Sequence, residues 1–334
     1  MEWIADPSPG DWLRERLDDE YATMHCVVPR RFPAYARVFH PASVRSLPGR
    51  AVPTRAEYER MSQAEHAALY GAFIDEPTTW SRTADAFGTR LHPLAQWQSL
   101  VRTPSGEDWR DRHAPDGREF SSPEEGAMPP ELLAAVARHL VAHTGTPDAG
   151  FAALWEGRGG LLGHVGPTPS RTFFGWRDGE AWSEGADAEP DPRHQEMLQR
   201  SIHHPFEDAF RKPTWQPGIL SREISEGPRL QLPGRDHVLF SAPTRAFADP
   251  GWILHAPWRD VVAEEHGFAP SAQHPSLIWP EDRAWVVVSE IDYDSTIVGG
   301  SADLIRAICD DPAIEALPVP ENADLTWTAD EVNR

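Results

Sequence analysis

The 334-residue chain has almost no lysine, almost no cysteine and no long apolar run. Lys212 is the single lysine, beside 30 arginines, so any mechanism that needs a lysine has one candidate. Cys26 and Cys309 are the only cysteines; they allow at most one disulfide and cannot make a cysteine-based zinc site by themselves. A reduced, cytoplasmic protein is the expectation. Residues 1–6 lack the basic stretch and apolar segment of a leader, and no window approaches the roughly 18 consecutive apolar residues of a membrane span. No membrane partner is expected. Positive charge is also scarce: 31 basic against 52 acidic residues give a net charge of −21. Such a surface repels polyanions, which argues against whole-surface binding to nucleic acid or anionic lipid.

What is present is an ordinary folding composition, 40% hydrophobic and 25% charged, ample for one large domain or two of common size. Fourteen tryptophans run from Trp3 to Trp327 without clustering and read as core and rim aromatics. Apolar spacing predicts helices near 11–21, 55–73, 79–87, 131–143 and 258–266. Strands are expected at 23–28 and 34–40, joined by a turn, and at 94–101, 151–155, 229–232 and 237–241. Residues 157–200 read as loop. The last block carries a strand at 284–291, another at 296–298, a helix over 301–309 and an apolar run at 314–319. No repeat period is present. The order of elements predicts an α+β fold with mixed or antiparallel sheets, packed helices and many irregular loops. Residues 103–128 are polar and rich in Gly, Pro, acids and Arg. They read as a linker or excursion between an N-terminal α+β region, 1–102, and a C-terminal one, 129–334, or as an interruption of one continuous domain.

The sharpest chemistry lies in the segment from Trp279 to Ser301. If the strand continued to Asp294, alternation would place Glu290, Asp292 and Asp294 on one face. Three carboxylates on one face repel unless a cation or arginines meet them, which makes them candidate ligands for Mg²⁺ or Mn²⁺. Gly299, Gly300 and Ser301 open the helix that follows. Their backbone N–H groups could hold an anion together with an arginine such as Arg37, or Ser301 could simply cap the helix.

Charge is segregated along the chain. Residues 26–56 hold six arginines and no acid, whereas residues 281–334 hold 13 acids against three arginines. The arginine-rich segment is the one place where nucleic acid could bind. His139 and His143 stand at a metal-sharing i, i+4 spacing but lack the glutamate of a zinc-protease motif, and His25 beside Cys26 offers a base next to a thiol. His203–His204 allows no reading alone. The glycines at 157–163 miss the dinucleotide spacing, and no Walker loop, nucleophile elbow, EF-hand or kinase set is present.

Asp292-x-Asp294-x-Thr296 after an apolar strand resembles the first motif of haloacid-dehalogenase-type phosphatases. That resemblance implies a nucleophilic Asp292 and an acid at Asp294, although the family's downstream lysine has no counterpart here. The Trp279–Ser301 block, together with Val28–Pro41 and His92–Trp97, is similar to a group of uncharacterised proteins from high-GC Gram-positive bacteria. This implies a shared fold and no particular activity. The leading expectation is a non-catalytic binding protein whose acidic C-terminal surface engages a basic partner. The alternative is a divalent-metal-dependent hydrolase or phosphoryl-transfer enzyme using Glu290, Asp292 and Asp294.

Overall fold

A computed structural model describes residues 1–20, 23–171 and 212–334. Its strands in chain order are β1 (Glu2–Trp3), β2 (Ala34–Phe39), β3 (Ala42–Ser46), β4 (Ile74–Thr78), β5 (Asp111–His113), β6 (Glu119–Ser121), β7 (Gly150–Trp155), β8 (His164–Gly166), β9 (Thr214–Gln216), β10 (Leu230–Leu232), β11 (Arg235–Ser241), β12 (Leu277–Pro280), β13 (Val286–Val288), β14 (Ser295–Gly300) and β15 (Ala316–Val319). A nine-stranded sheet runs β1-β11-β7-β12-β13-β14-β2-β15, with β10 added against β11. Every pairing in it is antiparallel. The fold is α+β.

The middle strands are apolar on both faces because both faces are covered. On one face Ala36, Val38, Ile278, Val287 and Val298 share a core with Leu133, Val136, Leu140, Leu304 and Ile308. Those leucines, valine and isoleucine come from the helices Pro130–Ala142 and Ala302–Cys309. In the first helix the buried residues Leu133, Val136, Ala137 and Leu140 follow the i, i+3, i+4, i+7 stripe, each large side chain contributing about 1.5–3 kcal/mol on burial. Pro130 sits in its first turn, where a missing N–H costs nothing. On the other face Tyr35, Trp279, Val286, Val288 and Ile297 pack against Trp12, Leu13, Met24, Val28 and Phe32.

Past Phe39 the chain leaves the large sheet and enters a second antiparallel sheet, β4-β3-β6-β5. Its core joins Phe39, Val44, Trp80, Phe87, Trp97, Leu100 and Phe120. Residues 103–128, polar by composition, therefore hold two strands of this sheet, β5 and β6. No helix among the described residues is long and apolar enough to cross a membrane.

Several elements depart from the sequence reading. Residues 23–28 form no strand: Met24–Cys26 is a 3₁₀ turn, and Met24 N–H bonds Ala323 O at 2.8 Å. The expected strand at 94–101 is instead a short helix, Trp97–Leu100, because Trp97 and Leu100 must both enter the same core. Positions three apart share a face in a helix and lie on opposite faces in a strand. The expected helix at 55–73 divides into Arg55–Tyr58 and Gln63–Tyr70, each started by its own capping box, Thr54 with Glu57 and Ser62 with Glu65. The short pair β8 and β9 forms a ribbon, and β8 lies inside the stretch read as loop. The rest of that stretch, 172–200, and His203–His204 lie outside the described residues.

Candidate functional site

The buried polar side chains of the large sheet gather at one end of it. His40 follows β2, Ser276 precedes β12, Ser289 and Glu290 follow β13, and Ser295 and Thr296 open β14; all are buried. Hydrogen-bonding residues shielded from water are costly unless paired, so such a concentration defines the place to look for chemistry.

The three sequence-selected carboxylates sit here but do not share one face. β13 ends at Val288, and Glu290–Asp294 turns back into β14, with Tyr293 N–H donating to Glu290 O at 3.0 Å. Alternation therefore stops before it reaches Asp292. Arg235 Nη2 lies 2.5 Å from Glu290 Oε1 and 2.6 Å from Asp292 Oδ2, and its guanidinium rests over Trp155. Asp294 faces Arg37 instead, with Oδ1 at 3.1 Å from Nη2. Two arginines thus divide the three charges that were expected to meet one metal ion. Among the described residues no three His, Cys, Asp or Glu side chains are grouped to hold a metal ion. The partial phosphatase motif is taken apart in the same way, since its Thr296 Oγ1 faces Ser289 Oγ at 2.6 Å and His40 Nε2 at 2.9 Å.

Gly299 and Gly300 do not open a helix. They end β14, flanked by β2 and, at Gly299, also by β13. A side chain there would meet Phe32 at 2.9 Å on Gly299 and Leu304 at 2.7 Å on Gly300, so the glycines serve close packing. Ser301 caps the Ala302–Cys309 helix, its Oγ accepting from Leu304 N–H at 3.2 Å. Arg37 is buried and makes four hydrogen bonds within the fold. Nε donates to Ser295 Oγ at 2.8 Å, Nη1 to Ala95 O at 2.7 Å and Pro93 O at 3.2 Å, and Nη2 to Asp294. The four residues expected to hold an anion are thus engaged in holding the fold. Three of the other arginines of 26–56 are paired with acids: Arg30 with Asp18, Arg45 with Asp75 and Glu119, and Arg55 with Glu59.

Around the Arg37–Asp294 pair lies a cleft of about 160 Å³, lined among others by Gln96, Trp109, Glu125, Asp292, Asp294 and Trp327. Trp327 is 53% exposed and meets Trp109 edge to face with ring centroids 5.4 Å apart. Burial raises the Glu125 carboxyl above its ordinary range, and the charges of Asp294 and Asp292 raise it further. Asp294 is raised by burial against the opposing pull of Arg37. Gln96 is 6% exposed, and its side-chain Nε2 has no partner. No motif marked Glu125, Trp109 or Trp327, and Gln96 entered only within the His92–Trp97 resemblance; three of them come from residues 96–125, the fourth from the C-terminal stretch, and they meet only in the fold. The exposed tryptophan beside the acid-rich C-terminus was the one available signal.

The opposite face of the same sheet end carries buried histidines. His40 Nδ1 donates to Glu124 O at 2.8 Å, so its Nε2 accepts from Thr296, and Ser289 supplies the hydroxyl proton to Thr296. Burial pushes His40 down to about 4 and His274 to about 3. The histidines flagged by sequence are engaged elsewhere. His139 Nε2 bonds Asp311 at 2.8 Å and His143 Nδ1 bonds His139 O, so they do not share a metal. His25 bonds Val28 O, and burial raises the Cys26 thiol above its ordinary value, the reverse of an activated nucleophile. Comparison with protein-family models, curated proteins and solved structures returned no match.

Proposed function

We propose that the protein is a binding protein whose cleft beside Arg37 and Asp294 receives a cationic side chain of a basic partner. One observation carries this reading: Asp294 and Asp292 add to the burial that already raises Glu125 in a cleft lined by tryptophan. Arg37 offsets Asp294 and Arg235 offsets Asp292, whereas at Glu125 the opposing charge of Arg110 is a smaller influence than burial and the two aspartates. A guanidinium or ammonium placed there would relieve that repulsion and lie against Trp327, since the Arg110 guanidinium already rests over Trp109 at 4.8 Å from the ring centroid. Cation–π contacts of this kind contribute about 0.5–2 kcal/mol, and the charged hydrogen bonds roughly 1.5–3 kcal/mol. The metal-dependent alternative is less favoured, since Arg235 already does for Glu290 and Asp292 what an ion would do.

Calorimetric titration with short arginine- and lysine-containing peptides tests the proposal. Saturable binding is expected, weakened at least about tenfold in Glu125→Gln and in Trp327→Ala and reduced by added salt. Binding that is indifferent to both substitutions would rule the cleft out.

A further inference from the structure

The other face of the sheet end opens into a cavity of about 320 Å³ between the segment 124–130, the loop 158–161, Trp252 and residues 271–274. Its volume is that of a small-molecule site. Three lining side chains carry a buried polar atom with no partner among the described residues: Trp252 Nε1, Gln273 Oε1 and His274 Nε2. Trp252 is 2% exposed and His274 5% exposed, so water does not satisfy them from the surface. Native interiors leave few such groups, and of the eleven among the described residues three belong to this one cavity.

The chemistry of these atoms narrows what that ligand is. His274 Nδ1 lies 2.8 Å from Pro275 O, and a carbonyl only accepts, so Nδ1 carries the proton and Nε2 is a bare acceptor. Burial keeps the ring neutral at physiological pH. Gln273 Oε1 is a second acceptor from the adjacent residue, and the Trp252 indole is a donor. The charged residues of the lining are matched within the protein. Asp260 is held by Arg171 at 2.5 Å and caps Ala263 N–H, and Glu124 stands 3.9 Å from Arg158. Of the remaining walls Ser271 is polar, and Met128, Pro129, Pro130, Leu161 and Ile219 are apolar.

We infer that this cavity binds an uncharged molecule through a vicinal diol, whose two hydroxyls donate to Gln273 and His274 while one accepts from Trp252. A neutral monosaccharide and the ribose of a nucleoside both carry that group. The site is separate from the tryptophan cleft and stands or falls independently of it.

Thermal-shift and calorimetric titration of the full chain with glucose, galactose, adenosine and 2′-deoxyadenosine tests the inference. Adenosine binding at least tenfold tighter than 2′-deoxyadenosine identifies ribose as the source; binding of a monosaccharide without adenosine identifies a free sugar. In either case Trp252→Phe is expected to leave the melting temperature unchanged or raised, because it removes an unpartnered buried polar atom, whereas His274→Leu also loses the hydrogen bond to Pro275 O; each is expected to weaken binding roughly tenfold. Trp327→Ala is expected to leave it unchanged. Equal binding of adenosine and 2′-deoxyadenosine, no saturable binding by any of the four, or binding insensitive to both substitutions would overturn the inference.

Discussion

Arg37 shows how one side chain can organise a region. Its guanidinium joins the start of β14 through Ser295 and Asp294 to the carbonyls of Pro93 and Ala95, and it lies over Phe39 and Trp80. Removing one member of a buried pair leaves the other charge unmet, which costs about 3–5 kcal/mol. Arg37→Met is therefore expected to lower the urea midpoint by a corresponding amount, with Arg37→Lys falling short of rescue because an ammonium cannot reproduce the fork. The buried histidines make a second expectation at this scale. His40 and His237 are held down to about 4 and His274 to about 3 by burial, from an ordinary value of 6.5. The unfolded chain takes up these protons first as pH falls. The stability these rings contribute is thus complete above pH 6.5 and is lost as pH falls toward about 4. Proton NMR is expected to show three imidazole resonances that stay flat between pH 8 and 5 while exposed histidines titrate. Titration of all of them near the ordinary value would contradict the burial.

Among the elements, the turn between β13 and β14 decides the most. Gly126 locks the segment 124–128 over it, donating N–H to Tyr293 O at 2.8 Å with a φ of +73°. A Cβ at that position would lie 2.7 Å from Ile291 Cα. Gly126→Ala is expected to cost about 1–3 kcal/mol from backbone strain alone and to disturb the cleft, read as lost peptide affinity beyond the loss of stability. The helix Ala302–Cys309 behaves more simply. Ser301→Ala removes its cap and is expected to lower stability by about 1 kcal/mol in denaturant unfolding. The Ser301 cap was readable in sequence because it is local, three residues from donor to acceptor, whereas the capping box at Ser62 was passed over inside one expected helix, 55–73. The split of the carboxylates was not readable, because Arg235 and Arg37 reach Asp292 and Asp294 from 57 and 257 residues away.

Across the whole molecule, the C-terminal segment ties the two sheets together. β15 covers β2 at the sheet edge, and the Glu315 carboxylate caps the Trp80–Phe87 helix, accepting from Trp80 N–H at 2.6 Å and Ser81 N–H at 2.8 Å. Asp330 then accepts from Gln96 N–H at 3.3 Å and pairs with His92 at 2.8 Å. Ending the chain after Ile314 would strip β2 of its outer partner and leave these donors unmet. Such a truncation is expected to show no cooperative thermal transition, whereas Glu315→Ala is expected to keep one with a loss of about 1–3 kcal/mol.

The amino-acid sequence by itself determined the class of fold and several elements of the large sheet, but none of the four strands of the second sheet. Apolar periodicity placed β7, β11, β14 and the Pro130–Ala142 helix, since period and capping act within a few residues. It also marked residues 290–294 and Arg37 as unusual, from charge and spacing alone. Only the tertiary structure decided what those residues face. It turned residues 97–100 into a helix to satisfy a shared core, ended β13 before the acids could align, and set unpartnered atoms of Trp252, Gln273 and His274 in the wall of one cavity. Electrostatic pairing and desolvation depend on distance in space and exclusion of water, and neither quantity is a function of neighbouring letters in a chain.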